Sequence, residues 1–241
     1  MEKSLTDQKR REALSKLEEM LSYNFRNISF LDTALTHRSY VHENQQLDLA
    51  DNERYEFLGD AVLGVCVSDL LIKKYADFSE GTLSKIRAAI VNEKPLARLA
   101  AQLEIGDCLL LGKGEEISGG RLKDSLLADA LEAVLAAIYL DAGFSKVKSI
   151  IKKLVGPLLQ DDSLRSQYFD YKTALQEFCQ KKYKTAPVYT IIDSHGPDHA
   201  KIFEVQVTIV DKAAHLGSGK SKKEAEKDAA QKAWEDLQNE E

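Results

Sequence analysis

Apolar residues recur at helical spacing through the first two thirds of the chain. Leu14, Leu17 and Leu21 share one face of a helix predicted over residues 6–21. The same spacing, with capping residues, predicts a helix beginning at Phe78 and others over residues 30–40, 52–75, 96–103, 126–140 and 145–159. We therefore expect an all-α domain over residues 1–159.

The pattern changes after residues 160–169, a polar stretch that we interpret as a flexible linker. A helix, three strands and a second helix are predicted in that order, over residues 171–183, 188–193, 202–210, 213–216 and 222–237. The middle strand has the clearest pattern, because Phe203, Val205 and Val207 alternate with polar residues. We expect a small α+β domain of order α-β-β-β-α over residues 170–239.

Three carboxylates lie on one face of the long helix that begins near residue 52. A helical residue turns by about 100°, so Glu53, Glu56 and Asp60 fall within a sector of roughly 60°. Gly64 and Val67 continue this face. An exposed acidic face is the ordinary interpretation, but the apolar neighbours disfavour it. Like charges placed together destabilise a helix unless a cation lies among them.

A second helix carries two further carboxylates. Asp129 and Glu132 are the only charged residues between Leu126 and Leu140, and they share one face. A helix that is apolar all round is a buried helix, and no Lys or Arg lies within one turn to pair with these acids. A divalent metal bound jointly with acids of the first helix satisfies both. Ligands that are all oxygens favour Mg²⁺ or Mn²⁺ over zinc.

Composition is that of an ordinary globular protein. The 241 residues are 44% apolar and 30% charged, enough for one large or two modest domains. No run of about 18 apolar residues exists, and the N-terminus lacks the apolar segment of a signal peptide, so we expect no membrane segment. Cys66, Cys108 and Cys179 show no CxxC spacing, which predicts buried free thiols in a reducing cytoplasm.

The charge balance opposes binding to a polyanion. The formal net charge is −6, and residues 1–165 carry 22 basic and 26 acidic residues against 11 and 13 in residues 166–241. Any RNA binding must therefore come from local patches, with an affinity that falls steeply as salt increases.

One such patch is predicted at the start of the last helix. Residues 221–224, Ser-Lys-Lys-Glu, form a capping box. Lys220, Lys222 and Lys223 crowd this N-terminus, where the helix dipole disfavours cations. An anion held by the lysines and the helix N–H groups explains them, and a solvated lysine cluster is the alternative.

Two blocks and the order of the segments resemble a known family. Residues 52–63 read Asn-Glu-Arg-Tyr-Glu-Phe-Leu-Gly-Asp-Ala-Val-Leu, residues 126–133 read Leu-Leu-Ala-Asp-Ala-Leu-Glu-Ala, and nearly the whole chain is similar to bacterial ribonuclease III. The resemblance implies a cytoplasmic double-stranded RNA-specific endoribonuclease that uses Mg²⁺, or Mn²⁺ in its place, and no organic cofactor. Products would carry 5′-phosphate and 3′-hydroxyl ends with a short 3′ overhang. Precursors of ribosomal RNA and other structured RNAs would be the substrates.

The resemblance also implies roles for residues of the first domain. The implied metal ligands, of which Asp60 and Glu132 are also catalytic, are Glu56, Asp60, Asp129 and Glu132. Glu53 would support the site by steering RNA or a water molecule, and Glu80 would lie close to the RNA. A homodimer is implied in which Phe57 inserts into a pocket of the partner, although the residues alone favour a core position for Phe57.

The second domain resembles a double-stranded RNA-binding domain in residues 172–177, in the turn over residues 196–199 and in the lysine-capped helix. The resemblance implies that one minor groove is contacted by Thr173, Gln176, Glu177 and Gln180. His199 would contact the next minor groove, and Lys220, Lys222 and Lys223 the phosphates between them. Recognition would then be of A-form shape rather than of sequence.

Two alternatives come from other classes of protein. A non-cleaving double-stranded RNA-binding protein would use the acids structurally and would show no Mg²⁺-dependent cutting. A di-iron helical carboxylate protein would need Glu-x-x-His pairs, whereas Glu53 pairs with Glu56 and Asp129 with Glu132 at this spacing. The second alternative also leaves the C-terminal domain unexplained.

Overall fold

The chain forms two compact units, residues 1–167 and 168–241. The computed structural model describes residues 2–159, 168–210 and 214–239. In these residues no helix is long and apolar enough to cross a membrane. The three cysteines are buried free thiols, as predicted.

The described part of the first unit is helical. Its helices are α1 (Glu2–Leu21), α2 (Ile28–Ala34), α3 (Arg38–Glu43), α4 (Glu53–Lys74), α5 (Glu80–Ile90), α6 (Glu93–Gln102), α7 (Ile105–Cys108), α8 (Lys113–Ile117), α9 (Asp124–Ala142) and α10 (Phe144–Leu159). Short 3₁₀ turns cover Gln45–Leu47 and Gly120–Leu122.

Helix α9 lies at the centre of this unit and contacts α2, α4, α6 and α10. Leu131, Leu135 and Ile138 are buried in the core, and Ala133 and Ala137 have no exposed surface. Alanines keep the helix surface narrow, which lets neighbouring helices approach it closely. The prediction that residues 126–140 form a buried helix is confirmed.

Residues 30–40 were predicted as one helix, and this prediction is wrong. The structure has α2 and α3 with a break at residues 35–37. His37 has extended backbone angles, φ −78° and ψ 148°, and its backbone N–H donates to the Leu110 carbonyl at 3.0 Å. The break therefore follows from a bond to a distant segment, which helical spacing does not reveal.

The second unit is an α+β domain. It contains α11 (Tyr171–Tyr183), β1 (Val188–His195), β2 (Ile202–Thr208), β3 (His215–Gly219) and α12 (Lys222–Asn239). The sheet is antiparallel with order β1-β2-β3, and α12 packs against β2, β3 and α11. Buried residues of α12 cover the sheet: Ala225, Ala229, Ala233 and Leu237. The predicted fold class, a helical domain followed by α-β-β-β-α, is confirmed.

Phe169 belongs to the core of the second unit, although the polar pattern placed it in the linker. Its ring is buried, with centroid distances of 4.7 Å to Tyr171 and 5.9 Å to Trp234. The rest of the predicted linker, apart from Tyr168, lies outside the described residues.

Candidate active site and RNA-binding surface

Three carboxylates converge where α4 and α9 cross. One oxygen from each of Glu56, Asp129 and Glu132 lies within 4.8 Å of the other two. All three side chains are half-buried. Two separate helices thus place their acids at a common point, as the sequence analysis expected.

Asp60 lies outside this group of three and is exposed. Its charge nevertheless reaches the group. Burial, then the charges of Asp60, Asp129 and Glu56, raise the pKa of Glu132 to about 8. The fourth predicted ligand is therefore coupled to the cluster but faces solvent.

The other two acids of the cluster also have raised pKa values. Burial and the charge of Asp129 raise the pKa of Glu56. Burial and the charge of Glu93 raise the pKa of Asp129. Each carboxylate is therefore disfavoured as an anion, which is the condition that a bound cation would relieve.

Beside the cluster lies a pocket of 280 Å³. The residues that line it are His37, Arg38, Asn52, Glu53, Glu56, Leu109, Ser125, Leu126 and Asp129. Its wall is fixed by backbone bonds, since the Asn52 N–H donates to the Thr36 carbonyl at 2.9 Å. His37 caps α3, with Nδ1 accepting from the Ser39 N–H at 3.3 Å.

Glu53 and Glu80 do not join the three acids within one chain. Arg38 Nη1 donates to the Glu53 carboxylate at 3.1 Å. Glu80 is exposed at the start of α5, where its carboxylate accepts from the Ser84 hydroxyl at 2.7 Å. It lines a pocket with Ile72, which lies about 24 Å along α4 from Glu56 at 1.5 Å per residue.

Phe57 lies on the surface with 81% of its area exposed, so the core position that the residues alone favoured is wrong. Ala61, Val65 and Ile72 continue an exposed apolar stripe along the same face of α4. The acids occupy the neighbouring face of this helix.

The residues predicted to contact RNA in the second unit lie at its surface. One shallow pocket along α11 is lined by Thr173, Gln176, Glu177, Gln180, Lys181 and Lys184. His199 is exposed in a 3₁₀ turn between β1 and β2.

The three lysines at the start of α12 are exposed around a fixed cap. Ser221 Oγ accepts from the Glu224 N–H at 3.2 Å, as a capping box requires. The Glu224 carboxylate accepts in return from the Lys220 N–H at 2.9 Å, one residue earlier than the standard arrangement. The cap thus orders the backbone from which the lysines project.

Two residues that organise the site were missed by the sequence analysis. Gly59 lies in the second turn of α4, where a Cβ would be 1.9 Å from the Glu132 carbonyl oxygen. Asn52 is buried just before α4, and its Nδ2 donates to the Ala34 carbonyl at 3.3 Å. The available signal for Gly59 was a glycine inside a helix, which often marks a close backbone approach.

Each of the two units matches a known protein family. Residues 27–158 match the ribonuclease-III-like family, and residues 171–237 match the double-stranded RNA binding motif. Ribonuclease 3 of Syntrophobacter fumaroxidans is 50% identical over 92% of this chain and 93% of its own length. Ribonuclease 3 of Bacillus licheniformis is 46% identical over 96% of this chain and 92% of its own length.

Two structures of the ribonuclease III nuclease domain from Campylobacter jejuni are also similar. One is 45% identical with a TM-score of 0.56, covering 61% of this chain and 96% of that domain. The other is 46% identical with a TM-score of 0.55, covering 59% of this chain and 95% of that domain. The latter concerns structural flexibility in the region involved in dimer formation of that domain.

A helical nuclease domain with a carboxylate cluster, followed by a double-stranded RNA-binding domain, defines a double-stranded RNA-specific endoribonuclease. The match to the family and the identity to curated relatives over most of the chain make the assignment specific. This chain belongs to the ribonuclease III family, whose nucleases are metal-dependent.

Proposed function

We propose that this endoribonuclease uses Mg²⁺, with Mn²⁺ as a substitute, and leaves 5′-phosphate and 3′-hydroxyl ends with a short 3′ overhang. The convergence of Glu56, Asp129 and Glu132 supports the metal in this proposal, and the chain's membership of the ribonuclease III family supports the product ends. The donor set fits a hard cation, because all its atoms are carboxylate oxygens and each of these acids is destabilised as an anion. No ion pair between described residues involves these three acids.

Glu56, Asp129 and Glu132 hold the metal in this proposal, and Asp60 completes the site on its solvent side. When bound, the metal supplies an activated water for attack on phosphorus and stabilises the leaving 3′ oxygen. Asp60 and Glu132 are assigned the catalytic roles that the family resemblance implies. Asp60 is exposed to solvent, and its charge contributes to the raised pKa of Glu132.

The second unit binds the RNA duplex in this proposal. The residues of the α11 pocket, Thr173, Gln176, Glu177 and Gln180, contact one minor groove, and His199 contacts the next. Lys220, Lys222 and Lys223 contact the phosphates between the grooves. The exposure of these side chains and the fixed cap of α12 support the assignment.

A homodimer completes the active site in this proposal. Phe57 is 81% exposed within an apolar stripe, which is the surface expected to pack against a second copy. Pairing α4 with its symmetry mate about its middle would bring Glu80 of the partner subunit towards the acids that Glu80 cannot reach within its own chain. The similar nuclease domain from Campylobacter jejuni has a region involved in dimer formation, which supports a homodimer.

The bacterial relatives support a proposal for the cellular role. We assign the chain to the cytoplasm, where it would process ribosomal RNA precursors and other structured RNAs, including messenger and transfer RNA precursors. Recognition of duplex shape rather than sequence agrees with so broad a set of substrates.

The proposal is tested by incubating the full chain with a long perfect RNA duplex, with and without Mg²⁺, and analysing the product ends. Wild type should cut only with Mg²⁺. Glu132→Gln should not cut but should still bind the duplex, whereas Glu19→Gln, an exposed control on α1, should behave as wild type. Cutting by Glu132→Gln would remove the ligand assignment, and binding without cutting by wild type would favour the non-cleaving alternative.

A further inference from the structure

The positively charged side chain of Arg38 lies in the wall of the pocket beside the acid cluster. Arg38 is the first residue of α3, and its guanidinium lines the same pocket as Glu53, Glu56 and Asp129. Among the described residues that line this pocket, Arg38 carries the one permanent positive charge. An RNA phosphate that approaches the acids is repelled by them, and Arg38 is placed to offset that repulsion.

The backbone under Arg38 is held firmly. Thr36 pairs with Leu110 in an isolated β-bridge, and the His37 N–H donates to the Leu110 carbonyl. The Thr36 carbonyl accepts from the Asn52 N–H, immediately before α4 begins. These bonds tie the start of α3 to the start of α4, so Arg38 and the acids of α4 keep a fixed relationship.

Glu53 holds the side chain of Arg38 without using up its donors. One nitrogen, Nη1, donates to Glu53 at 3.1 Å, and 62% of the Arg38 side chain remains exposed. A guanidinium has five N–H donors, so its other edge can bind a phosphate in a two-bond geometry. Exposed ion pairs of this kind contribute little to stability, so stability alone does not account for the pair.

We propose that Arg38 binds a backbone phosphate of the RNA duplex beside the acid cluster, and that Glu53 positions its guanidinium. This inference rests on the proposed function, because it assumes that RNA crosses the pocket. It gives Glu53 a role that matches its geometry: Glu53 lies outside the three converging acids and orients a cation. Glu53 is then a positioning residue rather than a metal ligand.

The test compares full-length Arg38→Ala, Arg38→Lys and the exposed control Arg11→Ala on α1. For Arg38→Ala, the KM for a long RNA duplex should rise by about tenfold, with kcat within about twofold of wild type, as expected for a lost substrate contact. The KM of Arg38→Lys should lie between those of wild type and Arg38→Ala, because lysine keeps the charge but lacks the planar guanidinium. Arg11→Ala should match wild type.

Binding of uncut duplex separates this inference from the proposed function. In a Glu132→Gln background with Mg²⁺, Arg38→Ala should make the fall of log affinity with log salt less steep, by about one unit of slope. This is the change expected for one lost phosphate contact. This holds whether or not wild type cuts RNA. The inference would be overturned if Arg38→Ala changed the KM and the salt dependence no more than Arg11→Ala does. It would also be overturned if weaker Mg²⁺ binding or a lower Tm accounted for the rise in KM.

Glu53→Gln supplies the test of the positioning role. It should raise the KM less than Arg38→Ala does, and it should add little when Arg38 is already alanine, because its effect acts through that side chain. Full additivity of the two substitutions would assign Glu53 a role of its own and remove the positioning role.

Discussion

Gly59 of α4 touches the backbone of Glu132 in α9. A Cβ at Gly59 would lie 1.9 Å from the Glu132 carbonyl oxygen and 2.4 Å from its carbonyl carbon. Real Cβ contacts are never this short, so the two helices can cross here only because residue 59 is glycine. Glu56 precedes Gly59 by almost one turn, and this crossing therefore sets the distance between Glu56 and Glu132.

Gly59→Ala should separate α4 from α9 and disperse the acids. We expect a loss of stability of about 1–3 kcal/mol or more from overpacking, together with loss of cleavage. Gly156→Ala in α10 is the matched control, since a Cβ there meets nothing within 4 Å, and it should be neutral or stabilising. Urea unfolding and duplex cleavage check both variants. Wild-type behaviour of Gly59→Ala would contradict the close approach.

The geometry distinguishes Asp60 from the three converging acids. Mg²⁺ bound at the proposed site should raise the Tm of wild type, because a ligand that binds only the folded state stabilises it, and Asp129→Asn should remove this rise. Asp60→Asn should retain most of this rise and still lose cleavage. Differential scanning fluorimetry across a Mg²⁺ series measures the shift. Equal loss of the shift in both variants would place Asp60 within the resting site.

Phe57→Asp should convert the proposed homodimer to a monomer. The side chain is 81% exposed, so its replacement leaves the core of each chain intact. Ile117→Asp on α8 is the control, because Ile117 is 87% exposed on a different helix. Sedimentation velocity should show a monomer for Phe57→Asp and a dimer for the control. A dimeric Phe57→Asp with wild-type cleavage would argue against this interface.

The lysines at the start of α12 are expected to contact phosphates. Lys222→Ala with Lys223→Ala should weaken duplex binding and lower the salt slope by about two. Lys152→Ala with Lys153→Ala, an exposed pair on α10, changes the net charge equally and should leave the slope unchanged. Filter binding across a salt series provides the measurement. An unchanged slope in the α12 variant would support a merely solvated lysine cluster.

Tyr23 makes the stability of the first unit depend on pH in the alkaline range. Burial and then its hydrogen bond to Asp141 raise the pKa of Tyr23 from 10.0 to about 12. The folded protein therefore holds this proton more tightly than the unfolded chain does. The resulting stabilisation is complete below pH 10 and is lost as the pH rises towards 12.

Tyr23→Phe should lower stability at neutral pH and should flatten the loss of stability above pH 10, because the titrating group is gone. Urea unfolding of wild type and variant between pH 7 and pH 11 gives the difference directly, with roughly 1.5–3 kcal/mol expected at neutral pH from one hydrogen bond to a carboxylate. Parallel pH curves for the two proteins would show that Tyr23 does not contribute.

Much of the architecture could be predicted from local pattern. The apolar residues of α9 and the alternation in β2 are periodic signals that tertiary structure does not alter. The meeting of acids from α4 and α9 was also predictable, because Asp129 and Glu132 lie in an otherwise apolar helix. Which three acids meet was not, since that depends on the crossing at Gly59.

Other features depend on contacts that periodicity does not contain. The break between α2 and α3 is fixed by bonds to Leu110, more than seventy residues away. The exposure of Phe57 could not be predicted from its apolar character, because aromatic residues are common both in protein cores and in protein–protein interfaces. The position of Arg38 was likewise not predictable, since its place in the pocket wall and its bond to Glu53 are seen only in the structure.

The burial of Phe169 decides where the RNA-binding module can be excised. Its ring packs on Tyr171 and Trp234, so a fragment that starts at residue 170 would expose the side of the Trp234 indole that Phe169 covers, while Phe178 would still pack on that indole. A fragment that starts at Tyr168 keeps the whole aromatic cluster. The module therefore reaches at least one residue further upstream than its first helix and the Asp170 cap suggest.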